Sequence, residues 1–318
     1  MLRMRRWPIG LGLWFLVLAT AEGACLVAVW RFFVRSRHGQ LLDTVALAGN
    51  WIGQNRIEGI VDAALNTVSV VSLVGATATI GFIALIRRRA AVALGAIVLI
   101  AGATVTTQVL KRLIERPQLG VDVERAAAGN SLPSGHATVA AAVVVALVLV
   151  LPARVRGVVA VIGAAAAALV GVATLSAGWH RPSDVAAAFL VVGVWANIAG
   201  LFILVAQRTH GAVVYGMTNK YAVAVLGLAG LVLLAGAAIA MKLTDQVLTT
   251  PTDDLSRNRL LTAYGGGALG IAGTASLVVG AVLLTAHRVV PQAVPPPVHS
   301  ARSGGIPEEV KDGPAETP

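Results

Sequence analysis

Three short polar clusters interrupt an otherwise apolar chain of 318 residues. They are Lys111-Arg112-Leu113-Ile114-Glu115-Arg116-Pro117, Ser131-Leu132-Pro133-Ser134-Gly135-His136 and Gly178-Trp179-His180-Arg181-Pro182-Ser183-Asp184. His136 and His180 bring imidazoles, which serve as nucleophile or proton donor near neutral pH. Asp184 follows His180 by four residues. If a helix begins near Pro182, that carboxylate lies in its first turn, placed to accept from His180 and fix its tautomer. Lys111 and Arg116 are cations suited to phosphate oxygens, the arginine as a bidentate fork. Ser134 and Gly135 stand just before a helix, where free backbone N–H groups and the helix dipole favour an anion. Such a set binds a phosphoryl group and stabilises the charge on its equatorial oxygens during transfer.

The elements that must position these residues are membrane helices. Hydrophobic residues make up 57% of the chain and charged residues 13%, with a mean hydropathy of +0.80. Soluble chains average about 45–50% and about 25%, so lipid replaces water around most side chains. Crossing a bilayer takes about 20 apolar residues, and eight runs suffice: about Pro8–Val29, Thr67–Ile86, Ala90–Leu110, Ala137–Leu151, Val158–Leu175, Val185–Ala206, Ala222–Leu243 and Leu260–Ala286. The first has the basic start and small residues of a secretory signal peptide. Its apolar stretch continues past the possible cleavage point, so it is expected to be a retained helix.

Between the first two runs, Arg31 to Asn66 mixes charges, glycines and apolar residues at partly helical spacing, the pattern of an interfacial amphipathic helix. The tail after Val290, with Pro295-Pro296-Pro297, is expected to be disordered. The chain therefore divides into an N-terminal helix and interfacial segment (1–66), a catalytic core with all three clusters (67–206), two extra transmembrane helices (207–290) and a cytoplasmic tail (291–318). The expected fold class is all-α, a polytopic membrane protein with a six-helix core plus two C-terminal helices.

A cytoplasmic N-terminus puts Arg87–Arg89, Arg154, Arg156, Arg208, Lys220 and Arg288 on the inside, as the positive-inside tendency prefers. Arg31, Arg35 and Arg37 run against it. The loops Lys111–Pro133 and Ala177–Ser183 then share the extracytoplasmic face of the cell membrane.

The arrangement resembles the phosphatidic acid phosphatase type 2 superfamily of lipid phosphatases, which also includes vanadium haloperoxidases. That family carries Lys, six residues, Arg-Pro; then Pro-Ser-Gly-His; then Ser-Arg, five residues, His, three residues, Asp. The match is complete at Pro133-Ser134-Gly135-His136 and at His180 with Asp184. It covers about residues 60–206.

The resemblance implies His180 as nucleophile, forming a phosphohistidine that water hydrolyses. It implies Asp184 as the group that orients His180 and His136 as the proton donor to the leaving oxygen. Lys111, Arg116, Ser134 and Gly135 are then phosphate contacts, and no metal or other cofactor is implied. The implied substrates are phosphomonoesters or diphosphates of lipids: phosphatidic acid, phosphatidylglycerol phosphate, or polyprenyl phosphates and diphosphates.

Two departures stand out. Lys111 is followed by four residues before Arg116-Pro117, and the expected Ser-Arg falls on Ala173-Thr174. Losing one charged hydrogen bond to a transition state costs about 2–4 kcal/mol if nothing replaces it. Arg181, beside His180, and Arg112 are the candidate replacements, while Arg112 better suits an interfacial anchor.

Other readings are weaker. The net charge of +10 comes from arginines beside apolar runs, with no aromatic-interleaved patch, so nucleic acid is not an expected partner. Cys25 is single and cannot pair within the chain. Gly265-Gly266-Gly267 lies in an apolar run with no following lysine, which fits close helix packing better than a phosphate loop. A degenerate member that binds a lipid phosphate without hydrolysing it is the main alternative. A transporter would place its ionisable groups near the bilayer midplane instead of at one face.

Overall fold

Among the described residues, eight α-helices carry almost all of the regular structure in the computed structural model of the chain. It describes residues 9–52, 89–121, 130–206, 214–215, 219–246, 255–289 and 291–292, with isolated positions between 75 and 86. The expected helix Thr67–Ile86 and the proline-rich tail fall outside the described residues, apart from those isolated positions.

The helices are α1 (Ile9–Val29), α2 (Arg37–Ala48), α3 (Ala90–Leu113), α4 (Gly135–Val150), α5 (Ala153–Ser176), α6 (Pro182–Ala206), α7 (Lys220–Asp245) and α8 (Arg257–Val289). A π-helical turn, Trp30–Val34, extends α1. A two-residue antiparallel pairing, Val214–Tyr215 with Pro291–Gln292, joins the start of α7 to the end of α8. Among the described residues, six helices are long and apolar enough to cross a membrane, and the 16-residue α4 is a shorter apolar helix. The protein is an all-helical polytopic membrane protein.

The boundaries follow from local chemistry. Ser36 caps α2 by accepting from Gly39 N–H at 3.0 Å, and Ser134 caps α4 by accepting from Ala137 N–H at 3.4 Å. Both use the side-chain oxygen that a helix N-terminus lacks partners for. Pro182 opens α6, a first-turn position where its missing N–H costs nothing.

At the centre lies α6, packed by α1, α3, α4 and α8. Val185, Ala188, Phe189, Val192, Ala199 and Ile203 along it are fully buried. Polar pairs tie the long helices together: Trp195 Nε1 donates to Thr106 Oγ1 at 3.0 Å, and Thr107 and Thr138 hydroxyls meet at 2.9 Å. By contrast α7 exposes Leu228, Leu231, Val232 and Ile239, the surface expected of a helix with lipid on one side.

The α7–α8 contact uses glycines on both helices. A Cβ on Gly273 would come within 2.8 Å of Leu234, and one on Gly230 within 2.5 Å of Leu277. Small residues let membrane helices approach closely, and the triplet on α8 serves the same end. Gly266 meets Ala240 of α7, and Gly267 faces Pro182, where a Cβ would stand 2.6 Å from the ring. Gly265 has nothing within 4 Å.

Antiparallel succession brings four helix ends to one face: the C-termini of α3 and α5 and the N-termini of α4 and α6. All three polar clusters lie there. The amphipathic helix expected within Arg31–Asn66 is α2, which packs its Leu42, Val45, Ala46 and Leu47 side inward against α8 and α6.

Candidate functional site

Asp184 is the hub. It is fully buried in the first turn of α6, the place anticipated from Pro182. Its Oδ2 accepts from Ser131 Oγ at 2.6 Å and from the Arg181 N–H at 3.0 Å. The second bond is the returning half of a capping box, in which the third residue of a helix accepts from the residue just before its first. Arg116 Nη2 approaches Oδ1 at 3.5 Å. His180 Nδ1 lies 3.5 Å from Oδ2, longer than a hydrogen bond of good geometry and of the looseness usual in unliganded sites.

His180 is buried at 8% exposure, and its backbone is fixed by a tight turn. The N–H groups of Trp179 and His180 both donate to the Thr174 carbonyl, at 3.0 and 3.2 Å. Gly178 takes φ +73° in that turn, a left-handed conformation that glycine adopts without strain. With Nδ1 turned to Asp184, Nε2 is the nitrogen left to meet a ligand. The Thr174 side chain is fully buried and donates back to Gly171 O at 2.8 Å. No cation stands at that position, so the expected motif arginine has no counterpart there.

His136 is half-buried at the start of α4, its ring centroid 5.4 Å from that of Trp179. It lies within electrostatic reach of His180 and Lys111, and Lys111 within reach of Asp184. Trp179 is 53% exposed, as an interfacial aromatic would be. Arg181 is 5% exposed, against the open surface of Arg112. Burial therefore favours Arg181 over Arg112 as the extra cation of the site. Gly135 is half-buried at the α4 N-terminus, beside Gln108.

Ser134 is fully committed to the fold. Its N–H donates to Asp184 O at 2.9 Å and its carbonyl accepts from Thr138 N–H and hydroxyl. Its side chain is wholly buried as the cap of α4. These bonds clasp α4 to α6 and hold the two helix N-termini side by side.

Three residues that motif spacing does not single out belong to this centre: Ser131, Ser183 and Asp43. Asp43, on α2, is 2% exposed. Its carboxylate accepts from Ser183 N–H at 3.1 Å and from Ser183 Oγ at 2.6 Å. Burial and then the neighbouring Asp184 push its pKa up to about 6, against Arg116, the Ser183 bond and Arg181, which pull it down. The sequence held one signal, for Gly39, Leu42, Asp43, Ala46 and Leu47 recur at helical spacing. A carboxylate on that inward stripe requires buried partners.

Among the described residues, no group of three His, Cys, Asp or Glu side chains is placed to hold a metal ion. Behind Asp43 and Ser183, between α2, α6, α7 and α8, lies a mostly apolar cavity of about 290 Å³. Phe33, Leu42, Leu234, Met241 and Gly267 are among its walls.

Residues 90–209 match the family model of the PAP2 superfamily, a span that runs from α3 to just past α6. No curated protein and no solved structure matches the chain.

Proposed function

With residues 90–209 as a PAP2 superfamily domain set among membrane-spanning helices, a membrane phosphatase family is the premise, and we propose that the protein hydrolyses the phosphomonoester or diphosphate of a lipid through a phosphohistidine. The observation that carries this reading is the convergence on Asp184 of His180, Arg116, Ser131 and the Arg181 backbone, with His136 facing the same space.

The steps assign one role to each group. The phosphate sits at the N-termini of α4 and α6, between Arg116, Lys111 and Arg181, with the Gly135 backbone beneath it. His180 Nε2 attacks phosphorus, a P–N bond forms and the bond to the leaving oxygen breaks. His136 gives that oxygen a proton. Asp184 holds Nδ1–H and stabilises the positive charge that grows on the ring. A water then attacks phosphorus, His136 takes its proton, and the P–N bond breaks to release phosphate. The cations and helix ends stabilise charge that is fullest in the transition state, which makes them catalytic as well as binding groups.

A lipid substrate suits a site at the ends of membrane helices, since a headgroup can enter laterally while its chains stay in the bilayer. The extracytoplasmic face of the cell membrane is the location that the arginine distribution favours.

The buried Thr174 in place of a motif arginine favours one other reading, a protein that binds the phosphate without turnover. Phosphate release by purified protein from phosphatidic acid, phosphatidylglycerol phosphate and polyprenyl diphosphate separates the two. Release that disappears in His180→Ala supports the enzyme, and its best substrate identifies the lipid class. Binding of those lipids with no release by folded wild-type protein supports the binder.

A further inference from the structure

Helix α2 lies outside the matched span, yet its inward face touches two of the three segments that build the site. Gln40 is 6% exposed, and its Nε2 donates to Val34 O at 2.7 Å and to Pro117 O at 3.1 Å. One turn later, Asp43 takes both donors of Ser183. The first contact fixes the loop that carries Arg116, and the second fixes the turn that carries His180 and Asp184. Residues three apart on a helix share a face, so one rigid element sets the distance between these two segments.

We infer that Gln40 and Asp43 are positioning residues: α2 clamps the Arg116 loop against the first turn of α6 and so sets the geometry in which Arg116, Asp184 and His180 meet a phosphoryl group. The inference rests on the phosphatase reading.

The physical need for a clamp is specific to this place. The N–H groups of a helix's first turn have no partner within the helix. In α6 the Arg181 N–H is taken by Asp184, and the Ser183 N–H is taken by Asp43 from another element. Without Asp43, the Ser183 N–H and hydroxyl lose their acceptor in a buried place. The turn can restore one only by rotating, which would move Asp184 and His180 with it. Misplacement by about 1 Å can cost about 100-fold in rate.

The carboxylate charge has a second consequence. Asp43 faces Arg116 from the α3–α4 loop, Arg181 from the α5–α6 turn and Asp184 from α6. It therefore attracts both arginines towards the centre.

The test uses the full-length protein in detergent with the best lipid phosphate of the panel, beside wild type and His180→Ala. Asp43→Asn keeps the shape and one acceptor, Asp43→Ala removes both, and Ser183→Ala removes only the side-chain bond. Gln40→Ala releases the other segment. Melting temperature and size-exclusion profile give the folded fraction, to which kcat is normalised. The expected result is a fall in kcat of about 10–100-fold for Asp43→Ala, a smaller fall for Asp43→Asn, Ser183→Ala and Gln40→Ala, and KM within about threefold of wild type throughout.

Normal kcat per folded molecule in Ser183→Ala and in both Asp43 variants would overturn the clamp, even if melting temperatures fell. Should Asp43→Ala fail to fold, Ser183→Ala and Asp43→Asn still decide the matter. Failure of the underlying reading looks different, because wild-type protein would then release no phosphate or His180→Ala would release it undiminished.

Discussion

Arg116 and Arg156 are both buried but stand at opposite faces of the bundle, and of the two only Arg116 belongs to the candidate site. Arg116 lies at the face where α4 and α6 begin. Arg156, in the first turn of α5, turns its side chain back to the end of α4, with Nη2 donating to Leu151 O at 2.9 Å, and it is 1% exposed. The end of a helix carries unpaired carbonyls and partial negative charge, so a cation there is absorbed by the fold. The beginning of a helix carries unpaired N–H groups and partial positive charge. Arg116 and Arg181 lie beside the starts of α4 and α6, with Lys111 in the last turn of α3, and together they leave a surplus that two carboxylates only partly offset and that an anion completes. Burial of an arginine is thus no mark of function. What separates the two is what surrounds them: Arg156 turns to a carbonyl at the end of α4, whereas Arg116 meets a buried carboxylate beside a histidine.

The sharpest way to break this comparison is at the reacting group itself. His180→Ala is expected to lower phosphate release by more than about 1,000-fold without a matching loss of fold, since the nucleophile has no substitute. Next come the arginines as a pair. Arg116→Ala should lower kcat by about 100–1,000-fold, the cost of one transition-state donor. Arg156→Ala should lower stability by about 1–3 kcal/mol through an orphaned carbonyl, yet leave kcat per folded molecule at its wild-type value. Equal rate losses in the two variants would abolish the distinction between faces. Arg181→Ala sharpens it further: crippled turnover would make that residue the working replacement for the arginine missing at Thr174, and near-normal activity would remove it from the site.

Smaller effects test how neighbours hold the site. Gly267→Ala puts a Cβ against Pro182, an overpacking expected to cost about 1–3 kcal/mol and to lower kcat. Gly265→Ala, two residues away in open space, should be neutral or slightly stabilising. Thermal melts and turnover of the two variants make the comparison directly.

The mildest expected effect is on pH dependence. In the folded protein the Asp43 pKa is raised from 3.8 to about 6, so its ionisation disfavours folding. That stabilising term is present in full below about pH 4 and is lost as pH rises through about 6. Asp43→Asn, which never ionises, should lack this part of the slope in melts taken from pH 4 to pH 7.

The sequence carried most of the site because its chemistry is local. Residues 133–136 and 180–184 each lie within one turn of a helix start, so spacing alone places His136, His180 and Asp184. Pro182 announced the start of α6, and among the described residues the apolar runs announced the long helices to within a few residues. The residues to which spacing assigned no role meet the centre across long stretches of chain. Ser131 reaches Asp184 over 53 positions, and Asp43 reaches Ser183 over 140.

Composition and pattern by themselves determined that this is a membrane protein of bundled helices, with its polar clusters at the ends of four of them. That follows because lipid leaves the backbone no other way to satisfy its polar groups, and because a polar residue in such a chain stands out. Only the tertiary structure decided which side chains share a charge. Whether Ser134 offers its hydroxyl outward or caps its own helix, whether Arg181 or Arg112 turns inward, and whether α2 merely covers the bundle or clamps it are matters of packing, set by contacts between elements that no local spacing encodes.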